Sequence, residues 1–191
     1  MTQPVSLERY TRIAVVLHWL IAILILGNLV LAIVSANFEG PLHRTVLNLH
    51  KSVGFSVLLL SLVRLAWRLC RPPPPMREGK AWERAVAEIV HVAFYFLMVL
   101  IPLLGWVVSS GAKTRHAINV LGWHAPFLPI MSGKQFTGPF MDAHRLLGFT
   151  MAALLVLHIG AALKHRFIDK DGVLGRMSLW SRKSIGEQDA A

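Results

Sequence analysis

The chain alternates long runs of apolar residues with short polar, charged segments. Four of these runs approach the ~20 residues that an α-helix needs to cross the hydrocarbon core of a bilayer. They predict membrane spans at about 13–34, 50–69, 86–109 and 143–163. The second run is less uniform, because Arg64 and Arg68 lie near its end, where long side chains can reach the headgroups. The pattern predicts an all-α protein, a bundle of four transmembrane helices forming a single membrane domain over residues 1–191.

The composition agrees with a membrane protein and excludes several other classes. Hydrophobic residues make up 54% of the 191 residues and charged residues only 16%, which is too apolar for an ordinary soluble domain. The net charge of +10 does not indicate nucleic-acid binding, because the basic residues lie between the apolar runs instead of forming one face. The single cysteine, Cys70, excludes an internal disulfide, a cysteine-ligated iron–sulfur cluster and a c-type haem attachment.

The basic residues are distributed unequally between the two ends of the predicted bundle. Fourteen of the 20 fall at the end that carries both chain termini, and six fall at the opposite end. The six are Arg44, Lys51, Lys113, Arg115, Lys134 and Arg145. The positive-inside rule then places both termini in the cytoplasm. Residues 111–142 become the longest loop, on the outer side, and their aromatic side chains predict an irregular cap over the outer helix ends.

Four histidines fall at two matching depths in these spans. His144 and His158 are fourteen residues apart on the fourth span, which is two heptads, so in a left-handed bundle both imidazoles face one interior seam about 21 Å apart. His18 lies six residues inside the first span, at the depth of His158. His50 begins the second span at the depth of His144. Depth therefore predicts an inner pair, His18 with His158, and an outer pair, His50 with His144.

Paired imidazoles on facing helices are the arrangement that ligates a b-type haem from both sides of its ring. Zinc or copper fits the ligand type, but each pair lacks the further protein ligands of a structural zinc site. Two such pairs, one above the other, favour two haems that carry electrons across the membrane. Basic residues at the span ends are placed to contact haem propionates or other anions. The candidates for these contacts are Arg12, Lys51, Arg68, Arg145 and Lys164.

Two further histidines have alternative interpretations. His43 lies seven residues before His50 and would share its face if the second helix began near Pro41, which makes His43 the main rival for the outer site. His91 lies in the third span one turn after Glu88, and a local hydrogen bond is favoured over ligation. Solvated positions are expected for His116, His124 and His165.

Several short motifs, in their order and spacing, resemble the bacterial cytochrome b561 family. They are His18-Trp19, the run Leu49–Gly54, the run Arg64–Arg68 followed by Pro72–Pro74, and the closing runs Leu157–His165 and Phe167–Asp171. The resemblance covers nearly the whole chain. It implies a multi-pass cytochrome of the bacterial inner membrane with two b haems. Their ligands would be His18 and His158 at the cytoplasmic side, and His50 and His144 at the periplasmic side.

The resemblance also implies a function. Characterised relatives are similar to superoxide oxidases, which take an electron from superoxide at the periplasmic side and reduce ubiquinone in the membrane. The leading hypothesis is therefore single-electron transfer from a periplasmic donor, with superoxide favoured, to ubiquinone. In this superoxide:ubiquinone oxidoreductase-type activity, Lys51 and Arg145 would concentrate the anionic donor by electrostatic attraction.

Two other hypotheses remain open at the level of the sequence. One is a cytochrome b anchor or relay subunit that passes electrons from a partner dehydrogenase or hydrogenase to quinone. The other is a non-redox membrane protein whose histidines bind metal or protons.

Overall fold

The computed structural model describes residues 10–72, 80–120, 122–171 and 173–178. Four long α-helices dominate these residues, with a two-stranded hairpin between the third and the fourth and two short turns after the fourth. The helices are α1 (Arg12–Ser35), α2 (Gly40–Cys70), α3 (Ala81–Ser110) and α4 (Lys134–Lys164). The strands are β1 (Ile118–Val120) and β2 (Trp123–Ala125), and the last turns are a π turn at His165–Asp169 and a 3₁₀ turn at Val173–Met177. The proline run at 73–75 lies outside the described residues.

Each of the four helices is long and apolar enough to cross a membrane. Their outward faces carry large apolar side chains that no other part of the described structure covers. Ile33 is 66% exposed, Phe149 75% and Val156 71%. Contiguous apolar surface of this extent is unfavourable in water but matches the hydrocarbon of a bilayer. The predicted fold class, a four-helix transmembrane bundle, is confirmed.

Successive helices run antiparallel. Near the end of α2, Trp67 donates from Nε1 to Oγ1 of Thr11, the residue that caps the start of α1 (3.0 Å). At the other extreme, His50 in the first half of α2 bonds to the backbone oxygen of Asn28 in the second half of α1. The bundle therefore has a terminal end, where α1 and α3 begin and α2 and α4 finish. At its opposite end, the loop end, residues 111–133 connect α3 to α4.

Three helices begin at least five residues before the predicted spans, and one of them is α3, which begins at Ala81. α2 begins at Gly40, and Pro41 occupies its first turn, where the missing N–H would have no helical partner. α4 begins at Lys134, so residues 134–142, interpreted above as loop, are helical. That interpretation was wrong because the helix tolerates Pro139. This proline lies in the second turn of α4, where its missing N–H removes only one backbone hydrogen bond. Gly133, at a φ of 120°, makes the sharp entry into α4 that a side chain would hinder.

An apolar core fills the middle of the bundle. Its buried members come from all four helices and are Ile21, Ile25, Val57, Leu97, Met98 and Met151. Met151 lies seven residues from His144 and seven from His158 along α4. The core therefore separates the levels of the two predicted histidine pairs.

The loop end is capped by the hairpin. β1 and β2 pair antiparallel, and Ile118 and Ala125, opposite each other in the register, are buried against Phe55 and Leu58 of α2. Trp106 of α3 donates from Nε1 to the backbone oxygen of Pro126 (2.9 Å), which fixes the chain that leaves the hairpin. The long loop thus covers the helix ends with a small, ordered sheet.

The terminal end is closed by ion pairs and by the last turns. Lys164 contacts Glu83 of α3 (3.3 Å) and Asp169 (2.6 Å), which ties the end of α4 to the beginning of α3. Trp19 of α1 donates from Nε1 to the backbone oxygen of Met177 (2.9 Å), so the 3₁₀ turn lies under the start of α1. All ion pairs found in the described ranges are at this end.

Replacing Thr11 by alanine should destabilise the bundle, because one hydroxyl accepts both the backbone N–H of Ala14 and the indole N–H of Trp67. Loss of an N-cap oxygen costs about 1–2 kcal/mol in the free energy of unfolding. Unfolding of the detergent-solubilised protein, followed by circular dichroism, measures the change. Thr45→Ala is the matched control, because among the described residues the Thr45 hydroxyl bonds only to Pro41 in its own helix. Equal stability of the two variants would contradict the prediction.

Candidate functional site

At the loop end, His50 of α2 and His144 of α4 face each other. Their ring centres are 6.1 Å apart, with an angle of 85° between the planes. Nδ1 of His50 is 3.1 Å from the backbone oxygen of Asn28, and Nδ1 of His144 is 2.9 Å from that of Ile101. A carbonyl oxygen can only accept, so both Nδ1 atoms carry the hydrogen. Each Nε2 then keeps its lone pair, which is the arrangement usual for a metal-ligating histidine.

Gly105 makes room for one of these rings. A Cβ at this position would lie 3.1 Å from Cε1 and 3.3 Å from Nδ1 of His144. Gly105 is one helical turn after Ile101, whose oxygen receives the His144 hydrogen bond. The glycine therefore lets the imidazole lie flat enough against α3 to reach that carbonyl.

At the terminal end, His18 of α1 and His158 of α4 form the second pair. Their ring centres are 6.4 Å apart, with 69° between the planes. A third imidazole joins them, since the ring of His91 on α3 lies 5.9 Å from that of His158. The local hydrogen bond expected between His91 and Glu88 does not form among the described residues, and Glu88 is exposed. That interpretation is corrected, because His91 points at the bundle interior instead of back along its own helix.

Arg64 distinguishes the terminal pair from the loop-end pair. Its Nη1 lies 3.0 Å from Nδ1 of His18. The guanidinium also lies 5.8 Å from the ring centre of Tyr95 on α3, and that of Arg68 lies 5.6 Å from the same ring. Sequence reasoning assigned Arg64 to the headgroups only. Its depth, six residues before the end of α2, is the signal that places it level with His18.

The rival for the loop-end position is placed elsewhere. α2 begins early enough to include His43, as that alternative required. The imidazole is nevertheless turned toward α1, where its Nδ1 lies 2.8 Å from the backbone oxygen of Ser35. It is His50 that meets His144.

The candidate anion contacts are divided between the two ends. Lys51 is half-buried beside His50, and Arg145 is exposed beside His144. Arg12 is exposed at the start of α1, and Lys164 is engaged by two carboxylates.

Of the three histidines expected to be solvated, two are exposed and one is not. His116 and His124 are exposed in the segment between α3 and α4. His165 is half-buried, and its Nδ1 lies 2.6 Å from Oδ2 of Asp171. The expectation failed for His165 because the π turn folds the following residues back against the end of α4.

The two helices that carry each histidine pair are not directly packed against each other. α4 packs directly against α3, whereas neither α1 nor α2 makes more than slight backbone contact with α4. His18 and His158, like His50 and His144, therefore reach across an interior that the helices themselves do not close. His91 and His158 instead lie on directly packed neighbours.

The model of one protein family, described as prokaryotic cytochrome b561, matches residues 9–179. The chain belongs to the prokaryotic cytochrome b561 family. It is 34% identical over 177 residues to cytochrome b561 homolog 2 of Escherichia coli, which covers 89% of this chain and 91% of that protein. It is 29% identical to cytochrome b562 of Cereibacter sphaeroides, over 88% of this chain and 94% of the relative. It is 25% identical to the probable superoxide oxidase CybB of Yersinia pestis, over 89% and 96%.

Membership of the cytochrome b561 family fixes the class of the protein. It is a membrane b-type cytochrome that transfers electrons, and haem b is the group that such a cytochrome binds. Together with the four spanning helices, the family makes it a multi-pass protein of the bacterial inner membrane.

The geometry of the histidine pairs fits haem. A metal–imidazole bond is about 2 Å long and the ring centre lies about 1 Å further out, so two rings on opposite sides of one iron have centres about 6 Å apart. The two pairs, at 6.1 and 6.4 Å, match this separation. His91 is also within range of His158, but the pair lies on directly packed helices, which leaves less width for a flat macrocycle than the gap between α1 and α4.

Substituting Gly105 should disturb the loop-end pair selectively. An alanine Cβ forces His144 to move by a few tenths of an ångström, and a valine forces a larger shift at a cost of about 1–3 kcal/mol. We expect the haem content per chain, measured as the pyridine haemochrome, to be lower in Gly105→Ala than in the unchanged protein and lower still in Gly105→Val. The control is Gly160→Ala, because an added Cβ there meets nothing within 4 Å. Undiminished haem in Gly105→Val would show that the ring of His144 needs no such space.

Proposed function

We propose that this chain is a di-haem cytochrome that transfers single electrons from superoxide at the periplasmic face to ubiquinone in the membrane. The observation that carries the proposal is the presence of two imidazole pairs, at 6.1 and 6.4 Å, at opposite ends of one bundle. The excess of basic residues at the terminal end supports a cytoplasmic location for that end. The loop end then faces the periplasm.

In this proposal His50 and His144 hold one haem at the loop end, and His18 and His158 hold the other at the terminal end. Haem b supplies reversible one-electron chemistry at its iron when it is bound. The chain contributes the axial imidazoles and fixes their orientation through the backbone oxygens of Asn28 and Ile101. It also keeps water from the space between the two levels with the core around Met151.

The charge of the loop end favours a small anionic donor. The loop end contains six basic residues and two acidic residues, Glu39 and Asp142. None of the six forms an ion pair with a carboxylate within the described residues. Their field is therefore not cancelled locally, and it raises the concentration of an anion such as superoxide near His50 and His144. The similarity to a probable superoxide oxidase supports the same donor.

The overall reaction balances in atoms and electrons. Two superoxide anions each lose one electron and leave as dioxygen. The two electrons, with two protons, convert one ubiquinone to ubiquinol. No side chain is required as a covalent nucleophile, because the reaction consists of electron and proton transfers only.

Substituting the four histidines should separate the two haems. We expect about two haems per chain in the unchanged protein by pyridine haemochrome. His50→Ala and His144→Ala should each remove one haem, and His18→Ala and His158→Ala should each remove the other, which redox titration of the remaining haem identifies. His43→Ala should retain both, since its ring is bonded to Ser35. A protein with one haem, or with none after expression with ample porphyrin, would disprove the proposal.

Reduction by superoxide should be sensitive to salt. Because attraction between the anion and the loop-end cations is screened by ions, the second-order rate of haem reduction should fall as ionic strength rises. The double variant Lys51→Gln with Arg145→Gln should react more slowly and show a weaker salt dependence, whereas Arg166→Gln at the terminal end should change neither. Stopped-flow absorbance measures all three. A negligible rate with free superoxide would instead indicate a protein donor, as in the relay hypothesis.

A further inference from the structure

Two guanidinium groups at the terminal end have no carboxylate partner among the residues that the structure describes. Arg64 and Arg68 are one helical turn apart on α2, both half-buried, and both lie within 6 Å of the centre of the Tyr95 ring. Neither forms an ion pair in the described ranges. Arginines in a membrane-spanning helix are costly and are usually paired, so this arrangement calls for an anion.

The contact between Arg64 and His18 is one that haem ligation would end. A guanidinium has only donor hydrogens, so its bond to Nδ1 of His18 requires the lone pair of that nitrogen. The hydrogen of the neutral His18 ring is then on Nε2. In His50 and His144 the arrangement is the reverse, because Nδ1 carries the hydrogen and Nε2 keeps the lone pair that can bind iron. A metal-ligating histidine normally donates from its other nitrogen. When Nε2 takes a metal, the hydrogen returns to Nδ1, and Arg64 loses its acceptor.

Three carboxylates of the described terminal end are already engaged, and a fourth, Glu88, is exposed on α3. Glu83 and Asp169 contact Lys164, and Asp171 contacts His165. Lys164, a candidate propionate contact by sequence, is therefore neutralised by its own neighbours. Within the described ranges, Arg64 and Arg68 are cations on this side of the bundle that contact no carboxylate.

We propose that Arg64 and Arg68 together form the carboxylate-binding site for the propionates of the haem at the terminal end, with Arg64 released from His18 as the haem is ligated. The proposal rests on the proposed function, in which His18 and His158 hold that haem. A guanidinium suits this role because its planar fork binds a carboxylate through two hydrogen bonds. Tyr95 holds both guanidiniums at one face of α3, so the two charges converge on a common region.

The experiment compares haem that carries free propionates with haem that does not. The full chain, produced under haem limitation, is loaded in detergent with iron protoporphyrin IX or with its dimethyl ester. Release to an excess of apomyoglobin is followed optically, and the phases are assigned to the two ends with His18→Ala and His144→Ala. In the unchanged protein the ester should leave the terminal end about tenfold faster than the free acid, as expected for loss of charge-assisted hydrogen bonds.

In the double variant Arg64→Leu with Arg68→Leu, the free acid should leave the terminal end as fast as the ester, while release from the loop end is unchanged. Arg64→Lys should retain part of the preference for the acid. The control is Arg71→Leu, which removes the same charge from the exposed residue after α2 and should leave the preference intact. If the double variant does not load at the loop end, the single variants Arg64→Gln and Arg68→Gln provide the same comparison.

A tenfold preference that persists in the double variant would overturn the proposal, because the propionates would then be held elsewhere. Equal release of acid and ester from the unchanged protein would overturn it as well. Both results leave the proposed function standing, since haem is bound in each. Failure of the unchanged protein to bind haem at the terminal end would defeat the proposed function itself, and the arginine site with it.

Discussion

The distance between facing imidazole rings is the constraint on which the rest of this bundle depends. Four side chains on three helices must be held so that two pairs of ring centres lie at 6.1 and 6.4 Å. A single helix, α4, supplies one member of each pair, and the spacing of fourteen residues from His144 to His158 keeps both on one interior face. The slight contact of α4 with α1 and α2 follows, because closer packing would close the space between the rings.

The two ends of the bundle meet this constraint with different surroundings. At the loop end, backbone oxygens fix the rings, Gly105 gives one ring its space, and a hairpin covers the helix ends. At the terminal end, a guanidinium and a third imidazole lie beside the pair. The ends also differ in their ion pairs, since those found in the described ranges, around Lys164 and His165, all lie at the terminal end. The two ends of the bundle therefore differ in the chemical groups that surround their histidine pairs.

The helices and the histidine pairs could be predicted from the sequence because both depend on position along the bundle axis. Apolar run length fixes which segments span, and residue counts from the charged boundaries fix depth. The same counts do not give rotation about a helix axis, so they could not show that His91 faces His158 or that Arg64 reaches His18. Depth alone would have flagged both as level with the pair. The early start of α4 was missed for another reason, because Gly138 and Pro139 are loop signals whose effect depends on what precedes them.

The short-range chemistry of the chain end was also beyond a sequence pattern. His165 was expected in solvent, yet the π turn and Lys170, at a φ of 53°, bring Asp171 back to its ring. This reversal of the chain depends on the local backbone conformation, including the positive φ of Lys170, which the composition does not reveal.

The placement of α4 has a consequence for biogenesis. One imidazole of each facing pair belongs to this helix, which is the last of the four to emerge from the ribosome. While the first three helices enter the lipid, His18 and His50 have no counterpart. In the proposed function, where these pairs hold haem, its acquisition is therefore a late event, completed after translation has passed His158, and a chain truncated before α4 has neither facing pair.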